Sequence, residues 1–201
     1  MKTATNKQKY VTKFCIFATG CLSIPNKPEI PGLESFEGEL LHTATWPREE
    51  QNFTDKNVAI IGTGSSSIQT IPEIAKDVKN LYVFQRTPNY SIPSNNGPMD
   101  KDVEAQVKGR YSEFRKENSL NGFGLASLSD EALISESDLE EVNSQFEENW
   151  NTSGLAFFGG YADIPVNVDS NEVAANFVRN KIKETVSDQE TAEKLCPKYH
   201  I

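Results

Sequence analysis

The chain has 201 residues, 37% hydrophobic and 24% charged, with a formal net charge of −9. That acidity argues against nucleic acid as a partner, because phosphate backbones are held by Lys and Arg. No apolar run reaches the ~20 residues that span a bilayer, so no membrane partner is expected.

The start, Met1 to Tyr10, is polar and lacks the apolar core of a signal peptide. The cysteines, Cys15, Cys21 and Cys196, form no CxxC pair. With only two histidines beside them they offer no metal-ligand spacing, and a reduced, cytoplasmic setting is expected. Val11 to Phe17 is an apolar run of strand length, ending at Ala18-Thr19-Gly20. A lone strand cannot bury itself, so this run expects a sheet that the chain does not obviously supply. Residues 24 to 56 form a long connection punctuated by Pro25, Pro28, Pro31 and Pro47, which resist both helix and central strand.

Residues 56 to 87 read as strand, helix, strand. Val58 to Ile61 suits a buried parallel strand, and Leu81 to Phe84 is the next one. Between them Ile68, Ile71, Ile74, Ala75 and Val78 recur at helical spacing, with Pro72 predicting a kink or a short first segment. Residues 100 to 195 are mainly helical in pattern. Val103, Val107, Tyr111 and Phe114 make one stripe; Leu139, Val142, Phe146 and Trp150 a second; Val173, Phe177, Ile182 and Val186 a third. Such stripes are core faces. Asp169 with Glu172, and Ser187 with Glu190, have the spacing of capping boxes. Loops are expected at Asn121 to Gly124 and at Phe157 to Tyr161.

The first strand runs into Gly62-Thr63-Gly64-Ser65-Ser66-Ser67, a GxGxx turn with Ser67 at the third small position. The first glycine permits the tight turn and the second lets backbone approach a pyrophosphate. The following helix aims its free N–H groups and positive end at the anion. Gln69, on that helix, joins the candidate set. A tight turn with no ligand remains the competing reading. Past the second strand, an NAD site carries an acid for the ribose 2′-hydroxyl. This chain has Arg86 and Thr87 there, with no acid beside them. A guanidinium and a hydroxyl suit a 2′-phosphate, hence NADP(H), although a solvent-facing Arg at a strand end would look the same.

Within the connection, Phe36, Gly38, His42, Trp46 and Pro47 fill every specified position of FxGxxxHxxxW(P/D). By this fingerprint the chain resembles Baeyer–Villiger flavin monooxygenases. Ala18-Thr19-Gly20, Pro25 to Pro28, Pro31-Gly32 and Phe84 to Tyr90 are similar as well. The resemblance implies an α/β fold: a remnant of an FAD-binding domain at 1–24, a linker at 25–56, a Rossmann-like NADP-binding core at 57–99 and a mainly helical insertion at 100–201. It implies FAD and NADP(H) as cofactors. A ketone or aldehyde and O2 are the implied substrates, with one oxygen atom inserted to give an ester or lactone. His42 and Trp46 would then couple domain movement to catalysis. Taken alone, His42 reads as a structural histidine bonding its loop, and Trp46 as a packing anchor.

The chain departs from the family pattern at both ends. No GxGxxG for FAD precedes Val11, and the Lys-Arg motif with the catalytic Arg is not reached by Lys198-Tyr199-His200-Ile201. Arg48, Arg110, Arg115 and Arg179 do not match it. The expectation is an internal piece that carries NADPH recognition, binds FAD poorly, lacks oxygenation activity alone and partners the missing FAD-domain parts. Phe157 to Tyr161 is expected to line one side of the substrate pocket. An N- or S-oxygenating flavin monooxygenase, or a nonenzymatic NADP-binding module, is the alternative.

Overall fold

The computed structural model describes residues 11–121, 124, 132–152 and 154–201. The polar start, Met1 to Tyr10, and part of the loop expected at Asn121 to Gly124 lie outside them. The chain divides into two compact units, one of Met1–Ile60 with Ser65–Tyr82, the other of Ile61–Gly64 with Val83–Ile201.

In the first unit the proline-rich connection forms 3-10 turns at Leu33–Ser35 and Thr43–Thr45 and no longer element. Strand β1, Asn57–Ile61, leads through the glycine turn to helix α1, Ser65–Ile74, and back to strand β2, Asn80–Phe84. The two strands pair as a small sheet. Backbone bonds join Asp55 to Asp77 (3.3 Å), Lys79 to Lys56 (2.9 Å) and Gly62 to Phe84 (2.8 Å). Paired positions climb together along both strands, so the pair is parallel and needs the helical crossover that α1 supplies. Apolar β1 was expected to be buried. Instead it alternates between exposed and half-buried, as a strand covered on one face does; among the described residues the sheet has two strands.

Pro72 does not divide the helix. It sits inside α1 near the end, where the loss of one backbone bond coincides with the helix stopping at Ile74. The run Val11 to Phe17 is not a strand: among the described residues it has no ladder partner, and Val11, Phe14, Ile16 and Phe17 are exposed. A strand exists only through its partners.

The second unit is helical. Its elements are α2 (Lys101–Gly109), α3 (Tyr111–Leu120), α4 (Leu139–Thr152), α5 (Val168–Thr185) and α6 (Gln189–Leu195). The first stripe breaks into α2 and α3 at Arg110, whose ψ of 27° leaves the helical range just after Gly109. Val103 and Tyr111 remain exposed, so no core burial holds the two segments in line.

The other two stripes do face a core. Phe146 of α4 lies fully buried, 4.9 Å from the Phe157 ring, 5.3 Å from Phe177 and edge-on to Tyr161 at 5.7 Å. Ala174 and Ala175 of α5 are wholly buried. A buried side chain of Phe size contributes roughly 1.5–3 kcal/mol, so this aromatic group dominates the unit's stability. Lys181 of α5 pairs with Glu147 of α4 at 2.5 Å across the same seam. Phe157 and Tyr161, expected to line a pocket, belong instead to this core.

The caps also differ from expectation. Asn167, not Asp169, accepts from Asp169 N–H (3.0 Å) and Ser170 N–H (3.2 Å). Asp188, not Ser187, accepts from Thr191 N–H. Glu172 turns to Arg179 at 2.8 Å.

Asp163 is buried near the start of α5. It accepts from Ser170 Oγ (2.6 Å), Ile134 N–H (2.9 Å) and Ser135 N–H (3.1 Å). Burial pushes its carboxyl up, but those donors outweigh burial and hold it at about 2. The chain's final residues are pinned to α5. Asn171 Nδ2 donates to Ile164 O and Ile201 O, while Ile201 N–H donates to Asn171 Oδ1 at 2.9 Å. Arg179 Nε donates to Pro197 O at 2.8 Å.

Candidate functional site

The turn between β1 and α1 has the geometry that its glycines predict. Gly62 has φ 103°, in the region that L side chains rarely adopt. A Cβ placed on Gly64 would meet no atom within 4 Å, so open space lies over the turn where a ligand can approach. Ser65 and Ser66 start α1 and are exposed, and Ser67 is half-buried. Gln69 Nε2 donates back to Ser65 O at 2.8 Å, and Thr70 Oγ1 to Ser66 O at 2.8 Å.

The bond from Gly62 N–H to Phe84 O sets the end of β2 beside the first glycine. Thr63 Oγ1 donates to Gln85 Oε1 at 3.2 Å, and Asn89 Nδ2 donates to Thr63 O at 3.1 Å. Gly62 and Thr63 are therefore brought together with the segment that carries Arg86 and Thr87. Both Arg86 and Thr87 are exposed. Among the described residues no carboxylate pairs with Arg86. Gln85 and Asn89 gained no role from the sequence. Only their amide side chains on either side of Arg86-Thr87 hinted at one.

The fingerprint residues lie in the first unit. His42 Nδ1 accepts from Ala44 N–H at 3.1 Å and caps the turn Thr43–Thr45. Trp46 follows the turn and packs on Phe53 with ring centroids 6.0 Å apart. Trp46, Phe53 and Thr43 share an open depression of about 510 Å³ with Gln69, Glu73, Ile74 and Asp77 of the helical side. So Trp46 and Gln69 share one surface, while His42 acts on its own turn.

The residues present suit a dinucleotide phosphate. Gly62 at positive φ and Gly64 under open space leave room for a phosphate to approach the backbone, and Arg86 lies two residues past Phe84, whose carbonyl accepts from Gly62 N–H. Over residues 1–197 the chain matches the family described as pyridine nucleotide-disulphide oxidoreductase, and it belongs to that family.

Cyclohexanone 1,2-monooxygenase of an Acinetobacter species is 38% identical over 94% of this chain. A Baeyer–Villiger monooxygenase of Pseudooceanicola batsensis is 37% identical over 92%. The chain spans 35% and 34% of their respective lengths, about a third of each. A solved structure of OTEMO in complex with FAD and NADP superposes with a TM-score of 0.85 at 35% identity, covering 92% of this chain and 36% of that one. The resemblance inferred from Phe36 to Pro47 therefore holds along nearly the whole chain.

Proposed function

We propose that this chain is the NADPH-recognising part of an FAD- and NADPH-dependent monooxygenase that inserts one oxygen atom from O2 into a ketone or aldehyde. In this reading residues 57–99 are a Rossmann-like NADP-binding core, 100–201 a helical insertion, 25–56 an interdomain linker and 1–24 part of an FAD-binding domain. The nicotinamide cofactor supplies hydride to the flavin, and the flavin supplies the oxygen chemistry. The residues of this chain bind and orient. Gly62, Thr63 and Gly64 leave room for the pyrophosphate, and the N–H groups of Ser65, Ser66 and Ser67 face it with the positive end of α1. Arg86 and Thr87 take the 2′-phosphate. Gln69 holds the first turn of α1 by its bond to Ser65 O. His42 and Trp46 shape the linker so that it follows cofactor binding.

The observation that carries the reading is Arg86: exposed, unpaired, and next to the glycine turn where an NAD site would hold an acid. Titration of Arg86→Ala with NADPH and NADH tests it. NADPH affinity should fall at least tenfold, about 1.4 kcal/mol or more for a lost charge-assisted contact, with NADH little changed. Equal loss for both cofactors contradicts the 2′-phosphate role.

A further inference from the structure

Two side-chain paths converge on Thr63, and both lead to the segment Lys194 to Tyr199. On one, Asn89 Nδ2 donates to Thr63 O at 3.1 Å. The Tyr199 hydroxyl in turn lies 3.2 Å from Asn89 Oδ1 and 2.9 Å from Pro88 O, its single proton shared between them. On the other, Thr63 Oγ1 donates to Gln85 Oε1 at 3.2 Å, and Gln85 Nε2 donates to Lys194 O at 3.1 Å. Tyr199 is itself held. Its carbonyl accepts from the Tyr90 hydroxyl and from Arg179 Nη2 (3.4 Å), and the two tyrosine rings meet edge-on at 5.5 Å. Arg179 also donates to Tyr90 Oη at 3.0 Å and to Pro197 O at 2.8 Å, with Glu172 on its far side.

A peptide unit is planar and trans, so the carbonyl of Thr63 and the N–H of Gly64 point in opposite directions. Tying the carbonyl to Asn89 therefore fixes the direction of the Gly64 N–H. A flipped peptide would offer a carbonyl oxygen to the phosphate instead of a donor. This peptide turns about ψ of Thr63 and φ of Gly64, and glycine accepts either sign of φ, so the turn's own covalent structure does not select the orientation. We infer that the segment Lys194 to Tyr199 is a positioning device for the glycine turn, acting through Asn89 and Gln85, with Tyr199 as its anchor. The inference rests on the reading that this turn receives the cofactor's phosphates. It assigns Tyr199 and Asn89 no contact with the cofactor.

The test uses the full 201-residue chain carrying Tyr199→Phe, Asn89→Ala or both. Each is titrated with NADP+, and the Gly64 amide nitrogen resonance is followed without ligand. Tyr199→Phe removes one hydroxyl and keeps the ring. It should weaken NADP+ about tenfold, the scale of one lost hydrogen bond. It should also move the Gly64 resonance in the direction that Asn89→Ala moves it, with the melting temperature within roughly 4 °C of the parent. The double variant should be no weaker than Asn89→Ala, since both act along one path.

An unmoved Gly64 resonance in Tyr199→Phe overturns the inference, as do fold-losses that multiply in the double variant. A resonance change spread evenly over the whole chain with a falling melting temperature also overturns it, because that is a folding defect. If the parent fails to bind NADP+, the proposed function falls, while the Gly64 resonance still decides whether Tyr199 orients the turn.

Discussion

At the scale of single residues, the two glycines of the turn do different things and their alanine variants should separate them. Gly62 needs φ 103°, so Gly62→Ala should cost roughly 1–3 kcal/mol of stability as well as nucleotide binding. Gly64 has open space around it, so Gly64→Ala should leave the melting temperature alone and still abolish NADP(H) binding by filling the cradle. Melting curves paired with a cofactor titration read both. Asp163 makes a second residue-level case. Its carboxyl is held at about 2 against an ordinary 3.8. A depressed carboxyl contributes stability that is fully present above the unfolded value and is lost as pH falls through the folded one. The stability gap between the parent and Asp163→Asn should therefore shrink by about 2 kcal/mol as pH drops from 5 to 2, read by urea denaturation. The tight turn at Gly62 and the place of Arg86 just past a strand were legible in the sequence because turn geometry and strand ends are local. Asp163 was not: its donors Ile134, Ser135 and Ser170 come from separate segments and leave no periodic trace.

At the scale of elements, β1, α1 and β2 were readable because hydrophobic period and turn chemistry agree there. The stripes of α4 and α5 were readable for the same reason, and Phe146 shows how much they carry. Phe146→Ala should destabilise the second unit by about 3–5 kcal/mol, since its ring contacts Phe157, Tyr161 and Phe177. An Asn167→Ala variant should cost about 1 kcal/mol, whereas Asp169→Ala, at the expected cap, should cost much less. Thermal melts of the two distinguish them. The cap was misplaced because a capping box is a pattern of residue types, and Asn167, Asp169 and Ser170 all satisfy part of it. The first stripe failed for a different reason. Periodicity reports which side could be buried, but Val103 and Tyr111 find no core, so Gly109 and Arg110 decide where the helix breaks.

At the scale of the whole molecule, Phe14, Ile16, Phe17, Leu22 and Ile24 are all exposed over one short stretch. Several large apolar side chains exposed within so few residues favour association. The purified chain should self-associate with rising concentration, and Phe14→Lys with Ile16→Lys should reduce this in sedimentation runs without altering NADP(H) affinity. An unchanged association state would put the apolar contact elsewhere. What no local reading could reach was the link from Thr63 to Tyr199, because its halves stand far apart in the chain. Bonds such as Gln85 to Lys194 close loops of more than a hundred residues. This separation has a consequence in time. During synthesis the glycine turn leaves the ribosome long before Lys194 and Tyr199 do, and loop closure of that length is slow compared with forming β1, α1 and β2. A nascent chain therefore carries the glycine turn well before the segment that bonds to Gln85 and Asn89 has been made.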